Sequence, residues 1–399
     1  MGSSLLSTLL MLLVGALVAR LTAHRLQRWA VPAIVLELLM GVVLGNTVLP
    51  FARVEGLAGL TGLGVLTLFF QVGMSVPSDL RGSRPAAVLR TVLLSALTPL
   101  LAWWPLQQGF GLSVAITLVC VAVLSATGTG VTLRALAQAG ALTSPSGRLL
   151  VGVSVLDDLP AIGLLTVGLL LGQRPGGDTS VIRTALGLAM GVALVPLSLA
   201  ASRWWLRRHG PWQPEPLGVL LLLIGSSWLG EITGLTSLLG ALWGGVLLSR
   251  LAPMDHDSPA QGQLNAHLAL LSEVFLPLYF IGVGLRVELG SLLRPEAWWL
   301  ALALTLLAIA AKLVCGLGIS RRDQQAGVDR RVVVSGLIPR GLPGLVFAST
   351  ALAGGVINEV QFSALVLMVS STTVVGLLLL GRQLARLKAG GDAPHAGSI

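Results

Sequence analysis

The sequence predicts an all-α polytopic membrane protein with about thirteen transmembrane helices and inverted-topology repeats. Hydrophobic residues make up 54% of its 399 residues and charged residues only 11%, whereas a soluble domain carries about 25% charged residues. The apolar residues fall in long runs, and about 20 consecutive apolar residues span a bilayer. Segments in the two halves of the chain also share short motifs at a constant offset, which predicts the repeats.

The composition argues against several other classes of protein. The formal net charge is +9, but the arginines lie between hydrophobic runs and form no basic face for nucleic acid. Cys120 and Cys315 both lie inside apolar runs, so neither a disulfide framework nor a metal motif is predicted. The chain carries no dinucleotide fingerprint. We therefore expect a protein that is not an enzyme and needs no cofactor.

Thirteen hydrophobic segments can be traced along the chain. We predict one transmembrane domain over residues 1–386, followed by a short cytoplasmic tail over residues 387–399. The segments cover about residues 4–22, 31–49, 57–76, 86–106, 112–138, 148–172, 181–203, 216–232, 235–250, 267–287, 297–319, 331–354 and 359–380.

The basic residues predict the orientation in the membrane. With the N-terminus outside and the loops assigned to alternate sides, 19 Lys and Arg residues fall inside and five fall outside. Lys312 and Arg340, which lie within segments, complete the 26. Cytoplasmic loops are enriched in positive charge. We therefore expect a multi-pass protein of a bacterial inner membrane type, with its C-terminus in the cytoplasm.

Two pairs of segments carry matching motifs seven segments apart. Segments three and ten share an aromatic and small-residue pattern that includes Gly73 and Gly284. Segments two and nine share a weaker small-residue pattern around Gly41 and Gly245. Seven is odd, so paired segments cross the membrane in opposite directions. This is the inverted-topology plan that many secondary transporters use.

The same offset relates two segments that contain helix breakers. Segment five is interrupted at Ser125–Gly130 and segment twelve at Pro339–Gly344. Breakers at corresponding positions of two repeats indicate paired broken helices with a binding site near the midplane. The alternative is that Gly and Pro are simply more frequent in membrane helices than in soluble ones.

Among the charged residues inside predicted segments, three lie where they indicate a site. Asp157 and Asp158 lie in segment six, and Lys312 lies in segment eleven. One Asp at the centre of a membrane helix costs about 2.5–3.5 kcal/mol on insertion scales. This cost favours a functional role for the two aspartates, and a structural role as hydrogen-bonding acids is the alternative. Lys312 either snorkels to the membrane surface or has one of the two aspartates as its counter-ion.

This combination of groups suits exchange of a cation for protons. A carboxylate at the midplane, from Asp157 or Asp158, can bind either a proton or a hard cation such as Na⁺, K⁺ or Li⁺. Thr127, Thr129 and Ser154 are candidates for the remaining oxygen ligands. Competition between proton and cation for one site, with alternating access, is sufficient for antiport. Arg340, at the second break, either neutralises helix C-terminal dipoles or holds a nearby acid.

Six motifs in chain order resemble those of one known family. They are Val31–Gly45 in segment two, Ser125-Ala126-Thr127 in segment five, Asp157-Asp158 in segment six, Phe275–Gly284 in segment ten, Lys312 in segment eleven and Pro339-Arg340-Gly341 in segment twelve. Together they resemble cation:proton antiporter family 2, the NapA-like sodium/proton antiporters. The resemblance covers nearly the whole chain.

The resemblance implies a fold and a set of roles. It implies a dimer domain and a core domain, with segments five and twelve crossing as broken helices in the core. It implies that Asp158 is the transport carboxylate and that Asp157 pairs with Lys312. It also implies a homodimer in the lipid bilayer that exchanges Na⁺ for H⁺ through an elevator-like movement of the core.

Other functions stay open at this point. Exchange of K⁺ for H⁺, or potassium efflux without a regulatory domain, is the alternative within the same class. Sodium-coupled symport of an organic anion and a gated channel are alternatives from other classes. The carboxylate pair with a lysine favours a cation as the substrate, and the sequence shows no motif like a carbonyl-lined channel filter.

We predict that a reporter enzyme fused after Ile399 is active only in its cytoplasmic form, because the basic residues favour the cytoplasmic side for the C-terminus. A matched fusion after Arg174, in a predicted outer loop, should behave in the opposite way. Activity of the Ile399 fusion on the outer side would contradict the thirteen-segment topology.

Overall fold

A computed structural model gives the fold, and nearly all of the chain that it describes is helical. It describes residues 2–25, 33–79, 85–128, 131–132, 135–136, 139–141, 144–172, 178–233, 236–252 and 259–391. The main helices are α1 Gly2–Arg25, α2 Ala33–Thr47, α3 Ala58–Asp79, α4 Pro85–Leu97, α5 Val114–Ser125, α6 Pro145–Gly172, α7 Asp178–His209, α8 Pro216–Ile232, α9 Ser237–Leu251, α10 Pro259–Leu285, α11 Pro295–Cys315, α12 Arg330–Leu337, α13 Gly341–Ala353 and α14 Glu359–Gly391. The predicted all-α fold class is confirmed.

Each predicted segment contains helix in the described residues. Within the described ranges, eight stretches are long and apolar enough to cross a membrane, and α2, α5, α8 and α9 are shorter apolar helices. Three helices extend beyond their predicted segments by six residues or more: α7 runs to His209, α10 begins at Pro259 and α14 reaches Gly391. These extensions are helical but less apolar, so run length alone did not include them. Residues 392–399 of the predicted tail lie outside the described part of the chain.

Segment four changes its helical geometry along its length. After Leu97, the end of α4, it continues as a 3-10 turn over Thr98–Ala102 and a π turn over Pro105–Gly109. Pro99 and Pro105 lack the backbone N–H that a regular α-helix requires, which accounts for the change. The segment nevertheless forms one apolar stretch from Ala86 to Gly109.

Both predicted breaks are present. Helix α5 ends at Ser125, and an irregular stretch follows at residues 126–128. Residues 338–340 separate α12 from α13. The second break is shorter than predicted, since Pro343 and Gly344 lie inside the first turns of α13. A proline fits there because the first N–H groups of a helix have no partner within the helix.

Close glycine contacts reveal the inverted repeat. A methyl group added to Gly41 of α2 would overlap the backbone at Gly284 of α10, and the reverse also holds. In the same way Gly245 of α9 packs against α3 beside Met74, and Gly73 of α3 packs against α9. The offset of seven segments maps the first pair onto the second. The repeat predicted from these four glycines therefore has a counterpart in three dimensions.

Apart from α7, which contacts α8 and α9, the main helices form two packed groups. The scaffold group comprises α1–α3 and α8–α10, where α2 packs on α10 and α3 packs on both α9 and α10. The core group comprises α4–α6 and α11–α14, where α5 packs on α6 and α14 packs on α11, α12 and α13. Phe69 of α3 stacks on Phe347 of α13 across the boundary, with ring centroids 6.4 Å apart.

We predict that Gly245→Ala lowers the melting temperature of the protein in detergent. The added methyl would overlap the Phe70 carbonyl oxygen, and such overpacking costs about 1–3 kcal/mol. Gly225→Ala in α8 is the matched control, because a methyl there would meet no atom within 4 Å. Equal melting temperatures for the two variants would contradict the close helix contact.

Candidate ion-binding site

The two helix breaks lie directly against each other. The Gly128 N–H donates to the Pro339 carbonyl oxygen at 2.6 Å. A methyl group on Gly341 would lie 2.9 Å from the Gly128 Cα. Gly341 also has a φ of 47°, in the left-handed region that favours glycine. The broken segments therefore cross at their breaks, as the resemblance implied.

The two aspartates lie at this crossing point. Asp157 and Asp158, in the middle of α6, are 0% and 1% exposed. Thr127, in the first break, contacts both of them. Its hydroxyl donates to Asp157 Oδ2 at 2.6 Å, and its backbone N–H donates to Asp158 Oδ1 at 3.2 Å. One break residue therefore connects the two adjacent carboxylates.

Lys312 lies against Asp157 and not at the membrane surface. Its Nζ is 2.5 Å from Asp157 Oδ2, and the side chains of both residues are fully buried. The same ammonium group donates to Ser95 Oγ and, at 3.1 Å, to the Ser125 carbonyl oxygen. Ser95 in turn donates to Asp157 Oδ2 at 2.8 Å. The pair is thus held by side chains or backbone from α4, α5, α6 and α11.

Arg340 is a second buried positive group beside the crossing point, and it is 0% exposed. Its guanidinium donates to the Ala126 carbonyl oxygen at 2.8 Å and to the Ala308 carbonyl oxygen at 2.9 Å. Ala126 directly follows α5, where the carbonyl groups have no helical partner and carry partial negative charge. One of these contacts therefore places the guanidinium at the carbonyl end of α5.

Ser154 and Thr129 are the remaining candidate ligands. Ser154 is buried in α6, one turn before Asp158. Thr129 lies outside the described residues. The second oxygen of Asp157, Oδ1, has no hydrogen-bond partner among the residues that the structure describes. Ser95 was not predicted, because a serine in an apolar segment gives no distinct signal in the sequence.

This arrangement defines a class of protein. Crossed broken helices in an inverted repeat, with ionisable groups buried where they meet, are the architecture of a secondary transporter. The sequence profile of the family described as "Sodium/hydrogen exchanger, transmembrane" matches residues 9–384. The chain therefore belongs to the sodium/hydrogen exchanger family. The family resemblance inferred from the motifs is confirmed at this level.

Individual relatives and a solved structure agree with this assignment. The chain is similar to the high-affinity Na⁺/H⁺ antiporter NhaS3 of Synechocystis, with 26% identity over 81% of this chain and 70% of the relative. It is also similar to the Na⁺/H⁺-K⁺ antiporter GerN of Bacillus cereus, with 23% identity over 86% and 88% of the two chains. The structure of the sodium proton antiporter MjNhaP1 from Methanocaldococcus jannaschii matches the fold with a TM-score of 0.64. That match has 15% identity and covers 97% of this chain and 99% of the other.

We predict that Lys312→Ala lowers the melting temperature and that adding Asp157→Asn recovers part of the loss. Removing one partner of a buried ion pair leaves an unpaired charge, which costs about 3–5 kcal/mol. Melting curves of the two single variants and the double variant measure the coupling.

Arg90→Ala is the control for that cycle. Arg90 pairs with Asp323 at 2.8 Å, but its side chain is 48% exposed, so its loss should cost under about 1 kcal/mol. Strictly additive losses for Lys312 and Asp157 would contradict their pairing.

Proposed function

We propose that this protein is a secondary active antiporter that exchanges a monovalent cation, Na⁺ in the first instance, for protons by alternating access. The observation that carries the proposal is the position of Asp158. Its carboxylate is buried where the two broken helices cross, and its Oδ1 accepts a backbone N–H from the first break. The family and the names of the relatives support the same activity.

The proposed chemistry uses Asp158 as the shared ligand. A carboxylate binds either one proton or a hard cation that prefers oxygen ligands. Thr127 and Ser154 supply hydroxyl oxygens beside it, and we propose Thr129 as a further ligand. The Thr127 hydroxyl donates its hydrogen to Asp157, and a hydroxyl oxygen can accept as well as donate, so this group is suited to contact a cation. Proton and cation exclude each other because they need the same carboxylate.

Potassium remains the second candidate cation. One relative, GerN, is named as a Na⁺/H⁺-K⁺ antiporter, and the oxygen ligands proposed here do not by themselves distinguish the two ions. Proton movement in proteoliposomes, driven in turn by Na⁺, Li⁺ and K⁺ gradients, decides the selectivity. Uptake of labelled organic anions that depends on Na⁺, without proton counter-movement, would indicate symport.

We also propose the assembly and the mode of movement. The scaffold group would form a homodimer in the membrane, and the core group would move against it as an elevator-like unit. The packing of the helices into these two groups supports a division of this kind. The orientation would be N-terminus outside and C-terminus cytoplasmic. Cross-linking of single-cysteine variants in the membrane would test the dimer.

We predict that Asp158→Asn abolishes cation-driven proton movement in proteoliposomes while the protein stays folded. An amide is similar in size to the carboxylate, but it cannot titrate. Glu37→Gln is the matched control: Glu37 is also a buried carboxylate, in α2, where Arg20 lies 3.5 Å away. Exchange should persist in that variant. Exchange near the wild-type rate in Asp158→Asn would place the proton carrier elsewhere.

We predict that exchange is electrogenic, with more protons than cations moved in each cycle. If Asp158 alone titrated, one proton would replace one cation and the site would keep its charge. The Lys312–Asp157 pair beside this site is a second ionisable unit, and we propose that it releases a further proton when the cation binds. A membrane potential imposed on proteoliposomes without ion gradients should then drive net cation movement. Exchange that is indifferent to the potential would contradict the release of a second proton.

A further inference from the structure

The hydroxyl of Ser95 makes contacts that differ from those of its neighbours on the same stretch of chain. Hydroxyl groups in membrane helices commonly donate to a carbonyl one turn earlier. Thr91 donates to the Ala87 carbonyl at 2.9 Å, and Thr98 donates to the Leu94 carbonyl at 2.7 Å. Ser95, which lies between them, instead bonds Asp157 and Lys312. Ser95 therefore contributes to the buried ion pair.

The hydrogen-bond count of Lys312 shows what Ser95 supplies. A lysine ammonium has three N–H donors and no acceptor. Its three acceptors here are Asp157 Oδ2, the Ser125 carbonyl oxygen and Ser95 Oγ. Without Ser95, one donor of a fully buried ammonium would lose its acceptor among these groups. Ser95 thus completes the environment that a charged Lys312 needs.

The single hydrogen of Ser95 also has a defined direction. Because the ammonium can only donate, Ser95 must accept from Lys312 and give its own hydrogen to Asp157 Oδ2. The three side chains therefore form a closed ring that joins α4, α6 and α11. The ring adds a second link between Lys312 and Asp157 beyond their direct ion pair.

We propose that Ser95 is a positioning residue that holds Lys312 and Asp157 in the geometry required for turnover. This inference rests on the proposed exchange of a cation for protons. Among the described residues, the Ser95 hydroxyl contacts Asp157 and Lys312. Asp158 instead accepts the backbone N–H of Thr127 in the first break. Its loss should therefore affect the rate of exchange more than the binding of the cation.

The test compares Ser95→Ala, Ser95→Thr and Thr91→Val in proteoliposomes. Ser95→Ala should lower the maximal exchange rate about tenfold or more, the factor expected for a lost hydrogen bond to a charged group. The half-saturating Na⁺ concentration should change by less than about threefold, since the carboxylate of Asp158 keeps its contacts. Ser95→Thr keeps a hydroxyl and should restore most of the rate. Thr91→Val removes a buried hydroxyl from the same helix and should exchange as the wild type does.

Three outcomes would overturn the proposal: a wild-type rate in Ser95→Ala, equal losses in Ser95→Ala and Ser95→Thr, or a loss confined to Na⁺ binding. If Ser95→Ala does not fold, Ser95→Cys keeps the volume with a much weaker hydrogen-bonding group and must show the same loss of rate. A wild-type protein that exchanges no cation for protons would refute the proposed function itself, and that result is separate from any effect of Ser95.

Discussion

The structure depends on one constraint: a helix that breaks inside a membrane frees backbone groups that lipid cannot hydrogen-bond. Charged residues of the candidate site form hydrogen bonds with these backbone groups. Arg340 binds the Ala126 carbonyl oxygen at the end of α5, and Asp158 accepts the Thr127 N–H. The side chains proposed to exchange ions therefore also stabilise the breaks. Fold and candidate site share these groups, so the effect of a substitution at the crossing point has to be measured on stability as well as on transport.

The two groups of helices meet this constraint in different ways. In the scaffold group the backbones approach so closely that Gly41, Gly73, Gly245 and Gly284 leave no room for a methyl group. Such contacts depend on shape and contain no charge, which suits a rigid frame. In the core group the contacts at the breaks are hydrogen bonds and an ion pair. These contacts depend on protonation and on bound ions, which suits the proposed site of ion exchange.

Much of this arrangement could be predicted from local signals. Run length located the segments, Gly and Pro located the breaks, and the cost of a charge in lipid drew attention to Asp157, Asp158 and Lys312. Ser95 could not be predicted, since only the folded chain brings α4 beside α6 and α11. The partners of Arg340 could not be predicted either, because they are backbone carbonyl groups, which every residue has. The types of residue at the site could therefore be predicted from the sequence, but the long-range contacts between them could not.

The two breaks follow similar paths but differ in charge. At the first, a backbone N–H meets the carboxylate of Asp158; at the second, the Gly341 N–H meets the hydroxyl of Thr373 at 3.1 Å. A carboxylate changes its charge when it gains or loses a proton, whereas a threonine hydroxyl stays neutral. The twofold relation of the fold is therefore a symmetry of shape and not of electrical potential. The buried carboxylates of the candidate site lie in the first half of the repeat, whereas its buried positive groups, Lys312 and Arg340, come from the second half.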